Sequence, residues 1–220
     1  MTSSHCSAKR LDAEFLLATR SNDKLREILE IAGNSAVRLI TLRDLDVPVS
    51  AAEDEVENHP TFVANALAKA RHFAKLTGHA TIADDSGLMV DALGGDPGVR
   101  TKRFAADHGV THGDVDQANN DLLLHLLRDV ADRDRGAQYV CAAAVVFPDG
   151  TALTTTGTCR GRITREPRGN SGFGYDPLFY IDDLNATFAE LTSLRKHSRS
   201  HRALAFRALL PHLKYNAARR

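Results

Sequence analysis

The sequence predicts a mixed α/β sheet flanked by helices, with two lobes and a cleft between them. Three observations lead there. Strand-like and helix-like apolar patterns alternate early in the chain, the signature of a partly parallel sheet. A long hairpin pattern follows later, which a purely parallel sheet does not accommodate. The composition is that of an ordinary globular chain of 220 residues, 43% apolar and 25% charged. At this length roughly 70% of the unfolded chain's surface can be buried, so no metal or disulfide staple is needed.

Residues 1–12 (MTSSHCSAKRLD) read as a disordered leader, and residues 13–220 as a single domain. Phe15-Leu16-Leu17-Ala18 is a short buried strand. Leu25, Ile28, Leu29 and Ala32 then recur at helical spacing. Ser21 or Asn22 caps that helix, Asp23 suits its first turn and Gly33 sits where a C-cap belongs. Val37 to Leu42 is a second strand, followed by a loop dense in acids: Glu53, Asp54, Glu55 and Glu57. Pro60 opens a long helix with Phe62, Val63, Ala66, Leu67, Ala70, Phe73 and Ala74 on its apolar face. Asn65, Lys69 and His72 line its edge, and Gly78 ends it.

Ala80 to Ala83 is a short strand leading into Asp84-Asp85-Ser86-Gly87, after which the apolar Leu88 to Leu93 runs to the turn-rich GGDPG at 94–98. Val115 to Val130 has helical spacing through Ala118, Leu122, Leu123, Leu126 and Leu127. Tyr139 to Phe147 and Thr151 to Cys159 form a hairpin about Pro148-Asp149-Gly150. A glycine-rich irregular stretch, GNSGFGYDP, precedes mixed segments. A last helix runs from about Ser200 to Leu213 with Ala203, Leu204, Leu209, Leu210 and Leu213 inward.

Lysine and arginine total 28 against 28 aspartates and glutamates. A balanced charge argues against holding duplex nucleic acid or an anionic membrane through bulk electrostatics, and points to a small partner. Cys6, Cys141 and Cys159 are odd in number and widely spaced, which fits a reducing, cytoplasmic compartment. The first residues lack a signal-peptide core, and the longest apolar run, Val140 to Phe147, is too short to span a membrane.

Chemistry concentrates in a few segments. Thr19, Arg20, Ser21, Asn22, Asp23 and Lys24 lie between a strand and a helix N-terminus, where free N–H groups and the helix dipole favour phosphate; an ordinary capped helix is the competing reading. No GxxxxGK[ST] is present, which excludes a Walker-type cradle. Asp84 and Asp85 stand at the end of an apolar strand, where α/β proteins place sites, and a solvated turn is the alternative. With the acids at 53–57 they supply hard oxygen ligands, for which Mg²⁺ is the natural ion beside phosphate. Zinc fits poorly: His108 and His112, like His197 and His201, are spaced i,i+4 without HExxH or a matching cysteine cluster. Phe173-Gly174-Tyr175-Asp176 offers aromatic rings and a carboxylate among glycines, either a stacking platform or a buried turn. Lys196, His201 and Arg202 gather cationic or donor groups at the start of the last helix, or form a surface patch.

Five stretches in order carry a resemblance: LLATRSNDKLREI (16–28), ENHPTFVANALAKA (57–70), IADDSGLMVDALGGDPGV (82–99), PRGNSGFGYDPLF (167–179), and AELT with SHR (189–192, 200–202). Together they resemble the inosine triphosphate pyrophosphatases, the non-canonical purine nucleoside triphosphatases or XTP/dITP diphosphatases. The resemblance implies an elongated fold with the site in the cleft, and hydrolysis of ITP, dITP and XTP to the monophosphate and pyrophosphate, which cleanses the nucleotide pool. It further implies a cytosolic, Mg²⁺-dependent homodimer. Carried over by position, Asp85 is general base and metal ligand, Glu57 the other metal ligand, Ser86 a substrate contact and Thr19 to Lys24 the phosphate loop. Phe173 to Asp176 become the base-binding segment with Phe173 as the stacking ring, Lys196 a phosphate lysine, and His201 and Arg202 readers of the base. Two positions depart from the family pattern. Ser21 stands three residues before Lys24 where asparagine is usual, and Arg195 stands where an acid commonly precedes Lys196.

Two rivals remain at this stage. A Maf-like pyrophosphatase would prefer canonical or modified pyrimidine nucleotides, and the SGFGYDP and SHR segments argue against it. A nucleotide-sensing or RNA-binding protein without turnover is disfavoured by the joint presence of Lys24, Glu57 and Asp85.

Overall fold

The computed structural model describes residues 14–217 apart from Asn34 and Ala36; the leader expected at 1–12 lies outside the described residues. In chain order the elements are β1 (Glu14–Leu17), α1 (Asn22–Ala32), β2 (Arg38–Thr41), α2 (Ala52–Val56), α3 (Phe62–Thr77), β3 (Thr81–Val90) and α4 (Phe104–Asp107). Then come α5 (Val115–Leu126), β4 (Gly136–Val146), β5 (Ala152–Ile163), β6 (Phe179–Ile181), β7 (Ala186–Thr187), α6 (Ser193–His197) and α7 (His201–Ala217). Seven strands form one mixed sheet in the order β2-β1-β3-β4-β5-β6-β7. β1 pairs parallel with β2 and β3, and every later pairing is antiparallel. The mixed sheet flanked by helices is as the sequence predicts.

Local signals hold at most boundaries. Ser21 Oγ caps α1 by accepting the Lys24 N–H at 3.3 Å, and Thr61 caps α3 by accepting from Ala64. Gly78 ends α3 in the left-handed conformation, φ 72°. The acidic stretch expected as loop contains the short helix α2, whose entry is fixed by Glu53 accepting the Ser50 N–H at 3.1 Å. α5 stops at Leu126 rather than near Val130, because the buried Arg135 guanidinium takes the Leu127 carbonyl as well as those of Ile163 and Thr164.

β3 departs most from expectation. Asp84-Asp85-Ser86-Gly87 lies inside one continuous ten-residue strand, with Asp84 opposite Ala143 and Asp85 opposite Ala142 of β4. Its parallel partner β1 reaches only Ile82, opposite Leu17. The aspartates therefore follow the point where β3 loses one neighbour while keeping the other, a crevice at the carboxyl end of the parallel strands.

The buried apolar residues separate into three clusters. Ile82 belongs to one that includes Phe15, Ile28, Phe206 and Leu209, and Ala83 to one that includes Phe62, Ala66, Phe73 and Ala142. Leu88 and Val90 belong to a third, with Leu123, Tyr139, Phe179 and Phe188. The polar triplet of β3 sits at the seam between them. On α7, Ala203, Leu209 and Leu213 are buried as expected, but Leu204 is 41% exposed because Ala205 and Phe206 take the inward positions. α7 lies very close to β5: a Cβ at Gly157 would come within 2.2 Å of the His201 carbonyl oxygen. Among the described residues no helix is long and apolar enough to cross a membrane.

Candidate active site

Alternation along β3 sends its two carboxylates to opposite faces of the sheet. Asp84 faces α1 and α7, where Lys24 Nζ lies 3.3 Å and Arg202 Nε 3.3 Å from its Oδ2. Ser86, two residues on, faces the same way and accepts from Arg202 Nη2 at 2.8 Å. Asp85 faces α3, where Asn65 Nδ2 donates to its Oδ2 at 2.9 Å, while the Ser86 N–H donates to its Oδ1 at 2.9 Å. Asn65 also accepts the His59 N–H at 2.8 Å, tying Asp85 to the segment that bears Glu57. Glu57 itself is ion-paired with Lys69 of α3.

These environments drive adjacent carboxylates apart. Burial alone would raise Asp84, which is 0% exposed, but the charges of Lys24, Arg202 and Lys69 outweigh it and hold the group well below the ordinary carboxylate range. Asp85 goes the other way. Burial raises it and the nearby Glu57 charge adds to the rise, against the lowering by Lys24, Asn65 and Lys69. The two neighbours are thus shifted in opposite directions, the pattern by which adjacent carboxyl groups can take separate roles. Asp84 Oδ1 is buried with no protein hydrogen-bond partner among the described residues.

Behind Asp84 lies a buried ion network centred on Glu27 of α1. Glu27 Oε1 receives Lys196 Nζ at 2.6 Å, and its Oε2 receives Arg202 Nη1. Lys196 Nζ also donates to Asp176 Oδ2 at 2.6 Å. Burial would raise Glu27, yet Arg202 and Lys196 lower it to about 2. Lys196 is raised in turn, since Asp176 and Glu27 outweigh its desolvation. The Phe173 ring covers this network, its centroid 5.2 Å from Lys196 Nζ and 5.7 Å from Arg202 Cζ. Arg195, at the departing position, is exposed while Lys196 is buried, so its charge is spent at the surface.

The structure thus gathers Lys24, Ser86, Phe173, Asp176, Lys196 and Arg202 at one end of the crevice, and Glu57 with Asp85 on the α3 side. Ser21 and Thr19 form the loop before α1, where Thr19 Oγ1 accepts the Ser21 N–H at 3.3 Å. Other residues of the sequence-based set have partners of their own. Arg20 is clamped on Glu53, at 2.7 and 3.0 Å, and on the carbonyls of Val47 and Pro48. Asp23 pairs with Arg26 at 2.8 Å. The Tyr175 hydroxyl donates to the Thr101 carbonyl at 2.8 Å. The buried His201 ring stacks on Tyr139 with centroids 4.5 Å apart, and burial and the Arg202 charge hold it well below its ordinary pKa. Sequence reasoning left Glu27, Asn65 and Lys69 out of the site. The signal for Glu27 is a carboxylate three residues after Lys24 on an otherwise apolar helix face, and for the other two the polar edge of α3.

Among the described residues no three His, Cys, Asp or Glu side chains converge as a metal cage. Glu57 and Asp85 supply two oxygen donors whose mutual repulsion a cation would relieve. That is a donor set suited to Mg²⁺, which binds one or two carboxylates and completes its shell with water and phosphate oxygens.

The Ham1 family profile matches residues 15–212. The chain is 48% identical over 204 residues to a dITP/XTP pyrophosphatase of Nocardia farcinica, covering 91% of this chain and 95% of that one. It is 47% identical over 196 residues to a dITP/XTP pyrophosphatase of Frankia alni, with 88% and 94% covered. A HAM1 protein structure from Coxiella burnetii superimposes with TM-score 0.79 at 36% identity, over 92% of this chain and 99% of that one. A nucleoside-triphosphatase (dITP/XTP pyrophosphatase) structure from Mycobacterium abscessus gives 0.69 at 44% identity, over 90% and 99%. With a profile spanning residues 15–212 and relatives matched over nearly their full lengths, the chain belongs to the Ham1 family.

Proposed function

We propose that this chain hydrolyses the non-canonical purine nucleoside triphosphates ITP, dITP and XTP to nucleoside monophosphate and pyrophosphate. The observation that carries the reading is the pair of adjacent carboxylates held in opposite electrostatic states beside a helix N-terminus and Lys24. The relatives named dITP/XTP pyrophosphatases support the substrate class. The same reading includes a cytosolic homodimer that requires Mg²⁺ and has no stable nucleic-acid or membrane partner.

Free N–H groups at the start of α1, with Lys24, hold the phosphate chain. Asp85, oriented by Asn65 and the Ser86 N–H, takes a proton from a water aimed at the α-phosphorus. Pyrophosphate leaves as the water oxygen bonds to phosphorus. Asp84 stays ionised and fixes Lys24 and Arg202 in place. Glu57 and Asp85 would hold Mg²⁺, which when bound supplies charge stabilisation to the phosphate oxygens. Phe173 stacks on the base. Arg202 has five N–H groups, of which Asp84, Glu27 and Ser86 each take one; with the side chain 2% exposed beneath the Phe173 ring, the other two are the donors proposed for an acceptor at purine position 6. Adenine presents a donor there and is mismatched.

The test is pyrophosphate release over ITP, XTP, dITP, GTP, ATP and dUTP, with and without chelator. ITP, dITP and XTP are expected to lead by one or more orders of magnitude in kcat/KM, the discrimination typical of a site that must leave a buried polar group unpaired. Chelator should abolish turnover and Mg²⁺ restore it. A preference for pyrimidine nucleotides would favour the Maf-like alternative, binding without release a sensor, and undiminished turnover in excess chelator would remove the metal assignment.

A further inference from the structure

Phe173 stands on a segment with little regular structure. Gly169, Gly172 and Gly174 all adopt positive φ (82°, 79° and 61°), and residues 169–172 are exposed. At position 172 glycine is obligatory, since a Cβ there would come within 2.0 Å of Asp176 Oδ2. A ring on such a segment would have to be ordered by each incoming base, at a cost in affinity.

Two side chains of α5 address that problem. Asp116 Oδ2 accepts the Gly174 N–H at 2.6 Å, and Asn120 Nδ2 donates to the Gly174 carbonyl at 3.0 Å. Spaced i,i+4, they share one helix face and take both main-chain polar groups of Gly174, and so the two peptide units that follow Phe173. The contact from Asp116 is a carboxylate on a backbone N–H, the stronger class of hydrogen bond. α5 is itself held from the next position: Asn119 accepts the Ala105 N–H at 2.8 Å and donates to the Lys102 carbonyl at 3.3 Å. The Tyr175 hydroxyl reaches the same segment at Thr101. Nearer the ring, Asp176 Oδ2 accepts the Phe173 N–H at 3.0 Å. Phe173 is thus tied on one side to the Lys196 network through Asp176, and on the other to a helix 58 residues earlier in the chain.

We propose that Asp116 and Asn120 are positioning residues which hold the Phe173 ring in its stacking orientation before substrate arrives, and so set affinity for the base without touching it. This rests on Phe173 stacking the base, as proposed above. The effect belongs in KM for nucleotides, because the phosphate loop and Asp85 lie on other elements.

The experiment compares Asp116→Ala, Asp116→Asn, Phe173→Ala and the Asp116→Ala/Phe173→Ala double variant in the full chain. Steady-state kinetics on ITP are measured together with inhibition by inorganic tripolyphosphate, which has no base. Asp116→Ala should raise KM for ITP by about tenfold, inside the roughly 5- to 150-fold that a lost base–aromatic stack represents. Its kcat should change less than about twofold and its tripolyphosphate inhibition constant not at all. Asp116→Asn keeps an acceptor and should recover most of the loss, and in the Phe173→Ala background Asp116→Ala should add nothing further. If Asp116→Ala fails to fold, Asn120→Ala carries the same expectation. An unchanged KM in Asp116→Ala beside an impaired Phe173→Ala overturns the positioning role. So does an equal loss of tripolyphosphate binding, which would mark general damage. A Phe173→Ala variant with normal KM instead overturns the stacking reading and the inference with it.

Discussion

Asp85→Asn is expected to lower kcat by about 10²–10⁴-fold, the usual cost of removing a general base, with the protein still folded. The side chain lies on the α3 face of β3 at 7% exposure, and its raised pKa comes first from burial and then from Glu57. Asparagine keeps the shape and can still accept from Asn65, so packing is retained while the proton acceptor is lost. Asp84→Asn should separate from it. Asp84 is fully buried between Lys24 and Arg202, and breaking such a pairing costs about 3–5 kcal/mol of stability. Kinetics of pyrophosphate release and thermal unfolding, measured on both variants, check the division. A folded Asp85→Asn protein with near-normal kcat would remove Asp85 from the chemistry.

The second large effect falls on a residue that touches no reacting atom. Glu27→Gln leaves Lys196 and Arg202 buried with one counter-charge fewer, and a loss of about 3–5 kcal/mol in unfolding free energy is expected. Because Glu27 is lowered from 4.5 to about 2, its stabilisation is fully present above pH 4.5 and is lost as pH falls toward 2. The shift corresponds to about 3 kcal/mol at neutral pH. Urea unfolding at pH 7, 4.5 and 3 should therefore show the gap between wild type and Glu27→Gln narrowing as the medium acidifies. A gap that is absent at pH 7, or that widens in acid, would contradict the role of Glu27 as the hub.

The helices were legible where local chemistry decides them. Ser21, Gly33 and Gly78 sit at their caps, and the apolar stripe of α3 matches its buried face, although that helix begins at Phe62 under a Thr61 cap rather than at Pro60. Asp-Asp-Ser-Gly, by contrast, has the composition of a turn, and only pairing with the Val140-Cys141-Ala142-Ala143 run of β4 makes it strand. Its buried charges are tolerated through Lys24 and Arg202, partners that no local window contains. Glu27 could be noticed as a carboxylate on an apolar helix face, but not its role, because its two cations lie 169 and 175 residues away. Motif order picked out the candidate residues, whereas the assignment of each carboxylate to a face required the register of β3.

The most direct test of the account is where the water oxygen ends up. Hydrolysis of ITP in ¹⁸O-water, followed by ³¹P NMR of the products, should place the label in inosine monophosphate and leave pyrophosphate unlabelled, as attack at the α-phosphorus requires. Label in pyrophosphate, or in released orthophosphate, would contradict the proposed alignment of Asp85 with the α-phosphorus.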